Sequence, residues 1–372
     1  MSNTSNFAPL FAAFESDKLK LKNRIVMAPM TRSFSPGGVP TKEVAAYYRR
    51  RAEADVGLII TEGTTINHIA ANGYPRVPQF HGEEALAGWK HVVEEVHAAG
   101  GKIVPQIWHV GKVRKKGTEP DPTIPGYGPM EVQKDGELVT QGMTLDDIKE
   151  VIEAYGDAAK AAYEIGFDGV EVHGAHGYLI DQFLWKGTNQ REDEYGGSVE
   201  KRTRFAVDVV RNIRSKVPES FPVIFRFSQW KMGKYEERLA DTPAELGEIL
   251  GMLKKAGVDI FHASTRRFWE PEFEGSPLNL AGWTKKLTDL PVITVGSVGI
   301  DREMMATFDP KWDGTSQKQS FDQLLEPLEN GDYDLVAVGR ALLGDHQWAS
   351  KVKEGDLDGI KPFSKSSLTE LQ

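Results

Sequence analysis

Two histidines and a tyrosine follow one β-type run of the chain. The run is 168–172 (DGVEV), and the next residues, HGAHGY, carry His173, His176 and Tyr178 with a glycine after each histidine. Side chains alternate along a strand, so the two rings would face opposite ways if the strand continued. The glycines allow the chain to turn, and both rings can then converge. The pattern favours a functional site at the end of a strand.

Histidine pairs also bind metal ions, so metal chemistry is the rival interpretation. A catalytic metal takes further histidine or acidic ligands, and the first β-type run, 24–29 (RIVMAP), supplies none. The chain contains no cysteine. That absence excludes thiolate zinc sites, iron–sulfur clusters, disulfides and cysteine nucleophiles. We therefore expect no metal at this site.

Eight short apolar runs rich in β-branched residues alternate with helical patterns. The runs are 24–29, 56–64, 102–109, 169–172, 223–227, 258–264, 292–297 and 335–339. Near-continuous hydrophobicity is typical of parallel strands that are buried on both faces. The alternation predicts an α/β protein, a (β/α)8 TIM barrel formed as a single domain over 1–372. A doubly wound open sheet is the weaker alternative.

The helical patterns carry their own start and stop signals. They cover 41–54, 82–99, 144–165, 199–217 and 242–256. Thr41, Ser198 and Thr242 have N-cap chemistry, and glycines follow several helices where a left-handed cap is expected. Two segments interrupt the rhythm, 112–143 after strand three and 301–334 after strand seven. Insertions at these places are expected to cap the active face of the barrel.

Polar residues at other strand ends indicate what the barrel binds. The seventh and eighth runs end in Gly296-Ser297 and Gly339-Arg340, where barrels of this type often hold phosphate. Glycine permits close backbone approach, and a guanidinium can grip phosphate bidentately. Arg226 and Gln106 lie inside apolar runs and need polar partners. For Arg226 the partner is a bound group or a buried acid, Glu62 or Glu171.

Several longer motifs resemble the Old Yellow Enzyme family of FMN-dependent ene-reductases over nearly the whole chain. They are NRIVMAPMTR at 23–32, PQIWHVGK at 105–112, VHGAHGYLIDQFL at 172–184, NQREDEYGGS at 189–198 and VGR at 338–340. The two central motifs are very specific. Thr31 stands where some relatives carry a cysteine beside the flavin. Relatives with an iron–sulfur cluster are excluded for the same lack of cysteine.

The resemblance implies a role for each matching position. Residues at the FMN would be Pro29, Met30, Thr31, Gly63, Gln106 and Arg226, with Gly296, Ser297, Gly339 and Arg340 at its phosphate. His173 and His176 would donate hydrogen bonds to the substrate's carbonyl or nitro oxygen, and Tyr178 would donate a proton. Tyr74 and Trp108 would line the substrate pocket, with Phe268 or Trp269 as further wall candidates. Arg226 would stabilise the negative charge of the reduced flavin.

The implied reaction has two halves at one site. NADPH or NADH, as a transient hydride donor, would reduce FMN and leave. A small α,β-unsaturated carbonyl or nitro compound would then bind, accept the hydride at its activated C=C bond and take a proton from Tyr178. A TIM-barrel lyase or isomerase acting on a phosphorylated substrate is the alternative, although no Schiff-base lysine is evident. A barrel that binds FMN without useful turnover is a third possibility.

Composition limits the partners and the location of the protein. The formal charge of −9 gives no electrostatic footprint for nucleic acid. No run of apolar residues is long enough to span a membrane, and the first residues lack the pattern of a signal peptide. We therefore expect a cytoplasmic enzyme with no nucleic-acid or membrane partner. The sequence does not determine the choice between monomer and homo-oligomer.

Overall fold

Eight parallel strands close into a barrel in the computed structural model, which describes residues 7–301 and 321–372. Each strand pairs with the next along the chain, and the eighth pairs with the first. The strands are β1 (Ile25–Met27), β2 (Leu58–Thr65), β3 (Ile103–Trp108), β4 (Val170–His176), β5 (Val223–Lys231), β6 (Ile260–Ser264), β7 (Val292–Val295) and β8 (Leu335–Val338). All eight predicted runs form barrel strands, which confirms the predicted fold class.

Helices surround the barrel, and one of the following helices comes after each strand along the chain. They are α1 (Lys42–Glu53), α2 (Glu83–Ala98), α3 (Leu145–Glu164), α4 (Val199–Lys216), α5 (Pro243–Ala256), α6 (Leu280–Thr288), α7 (Asp322–Glu329) and α8 (Trp348–Glu354). Thr41, Ser198 and Thr242 each accept a hydrogen bond from a backbone N–H in the first turn of their helix. These contacts confirm the predicted N-caps. Within the described residues, the helices fall short of the length and apolarity needed to cross a membrane.

Two apolar layers hold the barrel together. One lies between the strands and the surrounding helices. The other fills the barrel interior, where Val26, Ile60 and Val104 meet inward-facing residues of the later strands. A short hairpin, Phe14–Glu15 with Lys20–Leu21, adds Phe14 and Leu21 to this interior layer. A barrel packed in this way leaves its C-terminal strand ends for binding and chemistry.

The insertion after β3 folds as a small sheet of its own. Its strands are Gly126–Gly128, Val132–Lys134 and Glu137–Gly142. Arg191 joins this sheet to the loop before α4, because its guanidinium donates to the carbonyls of Pro129 and Met143. Residues 302–320, most of the predicted 301–334 insertion, lie outside the described residues.

Candidate active site

The two histidines and the tyrosine converge at the C-terminal end of β4. The ring of His173 lies 5.2 Å from that of His176 and 5.0 Å from that of Tyr178, both measured between centroids and both edge to face. The indole of Trp108, at the end of β3, stacks on His173 and packs edge-on against Tyr178. The structure therefore brings together the groups that the sequence predicted to share a site.

The turn that makes this convergence possible differs from the one expected. Gly174 stays within the strand, and a Cβ there would lie 2.5 Å from the ring of Phe225. The chain turns instead at His176, whose φ is 64°, and at Gly177, whose φ is 81°. A left-handed backbone at a histidine is uncommon, and such strain concentrates at functional sites. The first glycine therefore provides space for Phe225, and the second provides the turn.

His173 is buried and its hydrogen bonding defines its tautomer. Its Nδ1 accepts the backbone N–H of Ala175 at 3.3 Å, so in the neutral ring the proton lies on Nε2. Burial lowers the pKa of His173 well below its usual value, and the positive charge of Arg226 lowers it further. His173 is accordingly a neutral hydrogen-bond donor at physiological pH.

His176 is connected to Arg226 through a serine at the end of β6. Nη2 of Arg226 donates to Ser264 Oγ at 3.2 Å, and that hydroxyl lies 2.8 Å from Nε2 of His176. With the serine proton given to Nε2, the proton of the neutral imidazole lies on Nδ1. Burial is the largest cause of a pKa well below the usual value, followed by the charge of Arg226. The indole of Trp230 stacks on the imidazole of His176, with the ring centroids 4.4 Å apart.

Tyr178 is held by a second tyrosine. Its hydroxyl lies 2.9 Å from that of Tyr74, and the ring of Tyr74 stacks on Trp108. Burial raises the pKa of Tyr178 well above its usual value, with the nearby Tyr74 hydroxyl adding to the effect. Tyr178 therefore keeps its proton throughout the neutral range. The predicted pocket residues Tyr74 and Trp108 both touch it.

Beneath these side chains lies a buried polar network. The carboxylate of Glu171 accepts from Gln106 Nε2 at 2.8 Å and from His262 Nδ1 at 2.7 Å. Glu171 is also the negative charge that acts on the buried guanidinium of Arg226. Of the two acids proposed as partners of Arg226, Glu171 is therefore the relevant one. Glu62 instead accepts the backbone N–H groups of Arg32 and Ser33.

The remaining predicted cofactor residues surround the mouth of the barrel. Pro29 and Met30 are half-buried and Thr31 is exposed, directly after β1. A Cβ on Gly63 would lie 2.5 Å from the indole of Trp108, so only glycine fits at that position. Across the barrel seam, a Cβ on Gly339 would approach the sulfur of Met30 to 3.4 Å.

The strand ends predicted to bind phosphate lie side by side after β7 and β8. Gly296 and Ser297 have φ of 146° and 55°, and Arg340 Nη2 lies 3.4 Å from Ser297 Oγ. A Cβ on Gly296 would clash with Thr265, so this turn depends on glycine. Phe268, a wall candidate, is buried in the core and packs against Trp269, the other candidate. Its burial is that of a core residue.

Three residues of the site were not found from the sequence. Ser264 and His262 end an apolar run of ordinary appearance, and Trp230 lies beyond the predicted end of the fifth strand. Alternation from Arg226 places a polar face on β5, but only the register reveals that Arg226 lies beside His262. The NQREDEYGGS motif holds the backbone after β4 in place. Its Asn189 donates to the carbonyls of Phe183 and Tyr195.

These residues fit a flavin mononucleotide. Nε of Arg226 and Nε2 of His262 are buried and have no hydrogen-bond partner among residues 7–301 and 321–372. Because Nε2 of Gln106 is committed to Glu171, its carbonyl oxygen is the atom left to accept an N–H. A buried cation, an amide and a glycine-lined anion cradle match the polar edge and phosphate of FMN. Within the same described ranges, no group of three or more histidine or acidic side chains is placed to hold a metal ion.

Comparison with known proteins identifies the family. The model of the NADH:flavin oxidoreductase / NADH oxidase family matches residues 9–311. NADH oxidase from Thermoanaerobacter brockii is 35% identical over 370 residues, covering 96% of this chain and 52% of that protein. The chain thus spans about half the length of that relative. The 12-oxophytodienoate reductase 7 of Oryza sativa subsp. japonica is 33% identical over 91% of this chain and 86% of its own.

Solved structures show the same architecture. Morphinone reductase superposes with a TM-score of 0.79 at 28% identity, covering 96% of this chain and 92% of that one. A complex of morphinone reductase with tetrahydroNAD superposes with a TM-score of 0.78 over 98% of this chain and 97% of that one. From the motifs, the barrel and these matches together, the chain belongs to the NADH:flavin oxidoreductase / NADH oxidase family, the Old Yellow Enzyme family of FMN-dependent oxidoreductases.

Proposed function

We propose that this protein uses NAD(P)H to reduce the activated C=C bond of small α,β-unsaturated carbonyl or nitro compounds, in a ping-pong reaction at one site. One observation carries the proposal: two neutral imidazoles and a protonated phenol converge above a buried guanidinium. That set can polarise an oxygen, protonate carbon and stabilise negative charge below. Relatives named as reductases of 12-oxophytodienoate and morphinone support a small organic substrate.

The histidine pair binds the substrate oxygen in this proposal. His173 presents an Nε2–H, and His176 presents an Nδ1–H when the hydroxyl of Ser264 donates to its Nε2. Both rings are neutral, so they can donate hydrogen bonds without delivering a full positive charge. Donation to a carbonyl or nitro oxygen draws electrons toward that oxygen. The β-carbon of the conjugated system then becomes the electrophilic position.

Tyr178 supplies the proton that completes the reduction. Its pKa is raised by burial, so the phenol remains protonated while the substrate binds. Tyr74, 2.9 Å away between the hydroxyl oxygens, holds the phenol and can return a proton to it. Trp108 packs against both Tyr178 and Tyr74 and keeps the donor over the same pocket as the histidines.

FMN, when bound, would carry the two electrons between the nicotinamide donor and the substrate as hydride. Gln106 and Arg226 would hold its polar edge, and Gly296, Ser297, Gly339 and Arg340 its phosphate. A buried guanidinium at that edge favours negative charge, which makes the reduced state easier to reach. The network of Glu171, His262 and Ser264 keeps the side chains of Gln106 and Arg226 in place.

An anaerobic visible spectrum of the purified, FMN-loaded protein tests both halves of the reaction. NADPH, and NADH in parallel, should bleach the flavin bands, and 2-cyclohexenone should restore them. Bleaching without recovery would refute the proposed substrate class. A protein that cannot be loaded with FMN, or is not bleached by either donor, would refute the proposed reaction altogether. Stopped-flow traces of flavin reduction at several NADPH concentrations, and of re-oxidation at several cyclohexenone concentrations, would test the ping-pong order. In that order each step proceeds without the other reactant.

A further inference from the structure

A buried ion pair lies behind the turn that carries His176 and Tyr178. Nζ of Lys231 donates to Asp181 Oδ1 at 2.7 Å, and the side chains are 3% and 0% exposed. Asp181 belongs to the short helix Leu179–Leu184 after β4, and Lys231 is the last residue of β5. Neither side chain contributes to the proposed chemistry. Taking two charges out of water is costly, so the pair calls for an explanation other than stability.

The aspartate end of the pair fixes the turn itself. The other carboxylate oxygen, Oδ2, accepts the backbone N–H of Gly177 at 2.6 Å. The neighbouring Gln182 donates to the carbonyl of Gly177 at 2.7 Å. Both polar groups of the glycine between His176 and Tyr178 are therefore held by the helix that follows them. Rotation of the two peptide units that meet at Gly177 would move both functional side chains.

The lysine end fixes the same turn from the next strand. Between Phe227 and Lys231 the register of β5 shifts, so that four steps on β5 match two on β4 and Lys231 pairs with His176. Bulges of this kind re-aim side chains beside active sites. Nζ of Lys231 also donates to the carbonyl of Ser228 at 3.3 Å, and the hydroxyl of Ser228 accepts the N–H of His176 at 2.9 Å. The ammonium thus ties the bulge to the helix that holds Gly177.

We propose that the Asp181–Lys231 pair is a positioning device, which sets the location of the His176 ring and the Tyr178 hydroxyl relative to the substrate. This inference rests on the proposed function, which assigns His176 and Tyr178 as the donors to the substrate. His176 adopts a left-handed backbone that few residues occupy without support. The pair supplies that support from two elements, β5 and the helix after β4. Misplacement of about 1 Å at such a site costs on the order of 100-fold in rate.

Three variants separate positioning from general stability. Lys231→Met leaves the Asp181 charge buried alone and is expected to lower stability. The double variant Asp181→Asn with Lys231→Met removes both charges and keeps an acceptor for the Gly177 N–H, so stability should recover. Lys285→Met is a control at a more exposed ion pair, whose side chains are 27% and 21% exposed. Lys285 also pairs with an aspartate, Asp334, that accepts a backbone N–H, at the opposite end of the barrel.

The measurements use FMN-loaded protein. Affinity for 4-hydroxybenzaldehyde is read from the flavin spectrum, cyclohexenone reduction from single-turnover stopped flow, and stability from urea unfolding. In Lys231→Met and in the double variant, the phenol should bind 10-fold to 100-fold more weakly and enone turnover should fall similarly, on the scale expected for misplaced groups. The double variant should combine near-normal stability with this loss. Lys285→Met should bind the phenol as the unaltered protein does.

The outcomes are distinguishable. Normal phenol affinity and normal enone turnover in the double variant would overturn the positioning role and leave the proposed function intact. If the unaltered protein neither binds the phenol nor reduces cyclohexenone, the proposed function fails, and the inference fails with it. A loss that follows stability across all three variants, Lys285→Met included, would also overturn it.

Discussion

The hydroxyl of Ser264 lies 2.8 Å from Nε2 of His176 while accepting a hydrogen bond from Arg226. One serine at the end of β6 thus links the guanidinium predicted to face the flavin with an imidazole predicted to face the substrate. When the serine hydroxyl donates to Nε2, the neutral ring of His176 carries its proton on Nδ1. Because the positive charge of Arg226 also lowers the pKa of that ring, the arginine helps to keep the histidine a neutral donor. Cofactor binding and substrate polarisation therefore share one chain of contacts.

Replacement of Tyr178 by phenylalanine tests the proton donor. Tyr178→Phe removes the hydroxyl but keeps the ring packing against Trp108 and His173. Re-oxidation of the reduced enzyme by cyclohexenone should slow on the order of 10²-fold to 10⁴-fold, the usual size of a general-acid contribution. Reduction by NADPH should be largely unchanged, and rapid mixing separates the two steps. Tyr74→Phe, which removes only the partner hydroxyl, is the control and should have a much smaller effect. Equal losses in both half-reactions would contradict the role.

Removal of both imidazoles tests the oxygen-binding pair. The variant His173→Ala with His176→Ala lacks the two donors that face the ligand oxygen. Phenol affinity should fall at least about 100-fold, since hydrogen bonds to a charged phenolate contribute roughly 1.5–3 kcal/mol each. Titration of the flavin spectrum with 4-hydroxybenzaldehyde measures the change. Unchanged affinity, in a variant that still binds FMN, would show that the histidines do not hold the ligand.

The architecture of the barrel could be predicted from the sequence more fully than the hydrogen-bond contacts within the site. Buried parallel strands have continuous apolar runs, and helix N-caps are single threonine or serine residues. Both features are local in the sequence and can be recognised from it. The link between Ser264 and His176 depends instead on which residues of β4, β5 and β6 lie side by side. The bulge before Lys231 shifts that register, and the composition of the segment does not predict the bulge.

The histidine turn shows the same limit in one place. Two glycines suggested two flexible positions, yet only Gly177 has a positive φ, and the residue that turns before it is His176 itself. Gly174 is small because Phe225 of the neighbouring strand occupies the space. Sequence spacing identifies a glycine, whereas the reason for it comes from a residue about fifty positions away. For the same reason, the sequence limits the buried acidic partner of Arg226 to Glu62 or Glu171 but does not decide between them.

The charge of Arg226 should set the reduction potential of the bound flavin. In Arg226→Gln the buried positive charge is lost, and the negative charge of the reduced cofactor loses its stabilisation. The midpoint potential should become more negative by on the order of 30–60 mV, where 30 mV is about 1.4 kcal/mol for two electrons. Dye-coupled reduction of the FMN-loaded protein measures this directly. Arg214→Gln is a suitable control, because Arg214 donates to the carbonyls of Gly257 and Phe221, which precede β6 and β5 at the N-terminal end of the barrel. An unchanged potential would place Arg226 away from the flavin.

A buried carboxyl on β2, next to Gly63, should make stability depend on pH. Glu62 is 1% exposed, and burial raises its pKa from 4.5 to about 7, although the N–H groups of Arg32 and Ser33 act in the opposite direction. A raised pKa in the folded state gives stability that is fully present below the unfolded value and is lost as the pH rises through about 7. Glutamine remains neutral and keeps an acceptor, so Glu62→Gln should lack this loss.

The difference between the two proteins isolates the contribution of that single group. Between pH 5 and pH 8, the free energy of unfolding of the unaltered protein should fall relative to Glu62→Gln by about 2–3 kcal/mol. The buried histidines, whose pKa values are lowered, titrate alike in both proteins and cancel from the comparison. Urea unfolding of the FMN-loaded proteins at several pH values provides the measurement. Parallel curves would mean that Glu62 is ionised in the folded protein across this range, with the backbone N–H groups outweighing its burial.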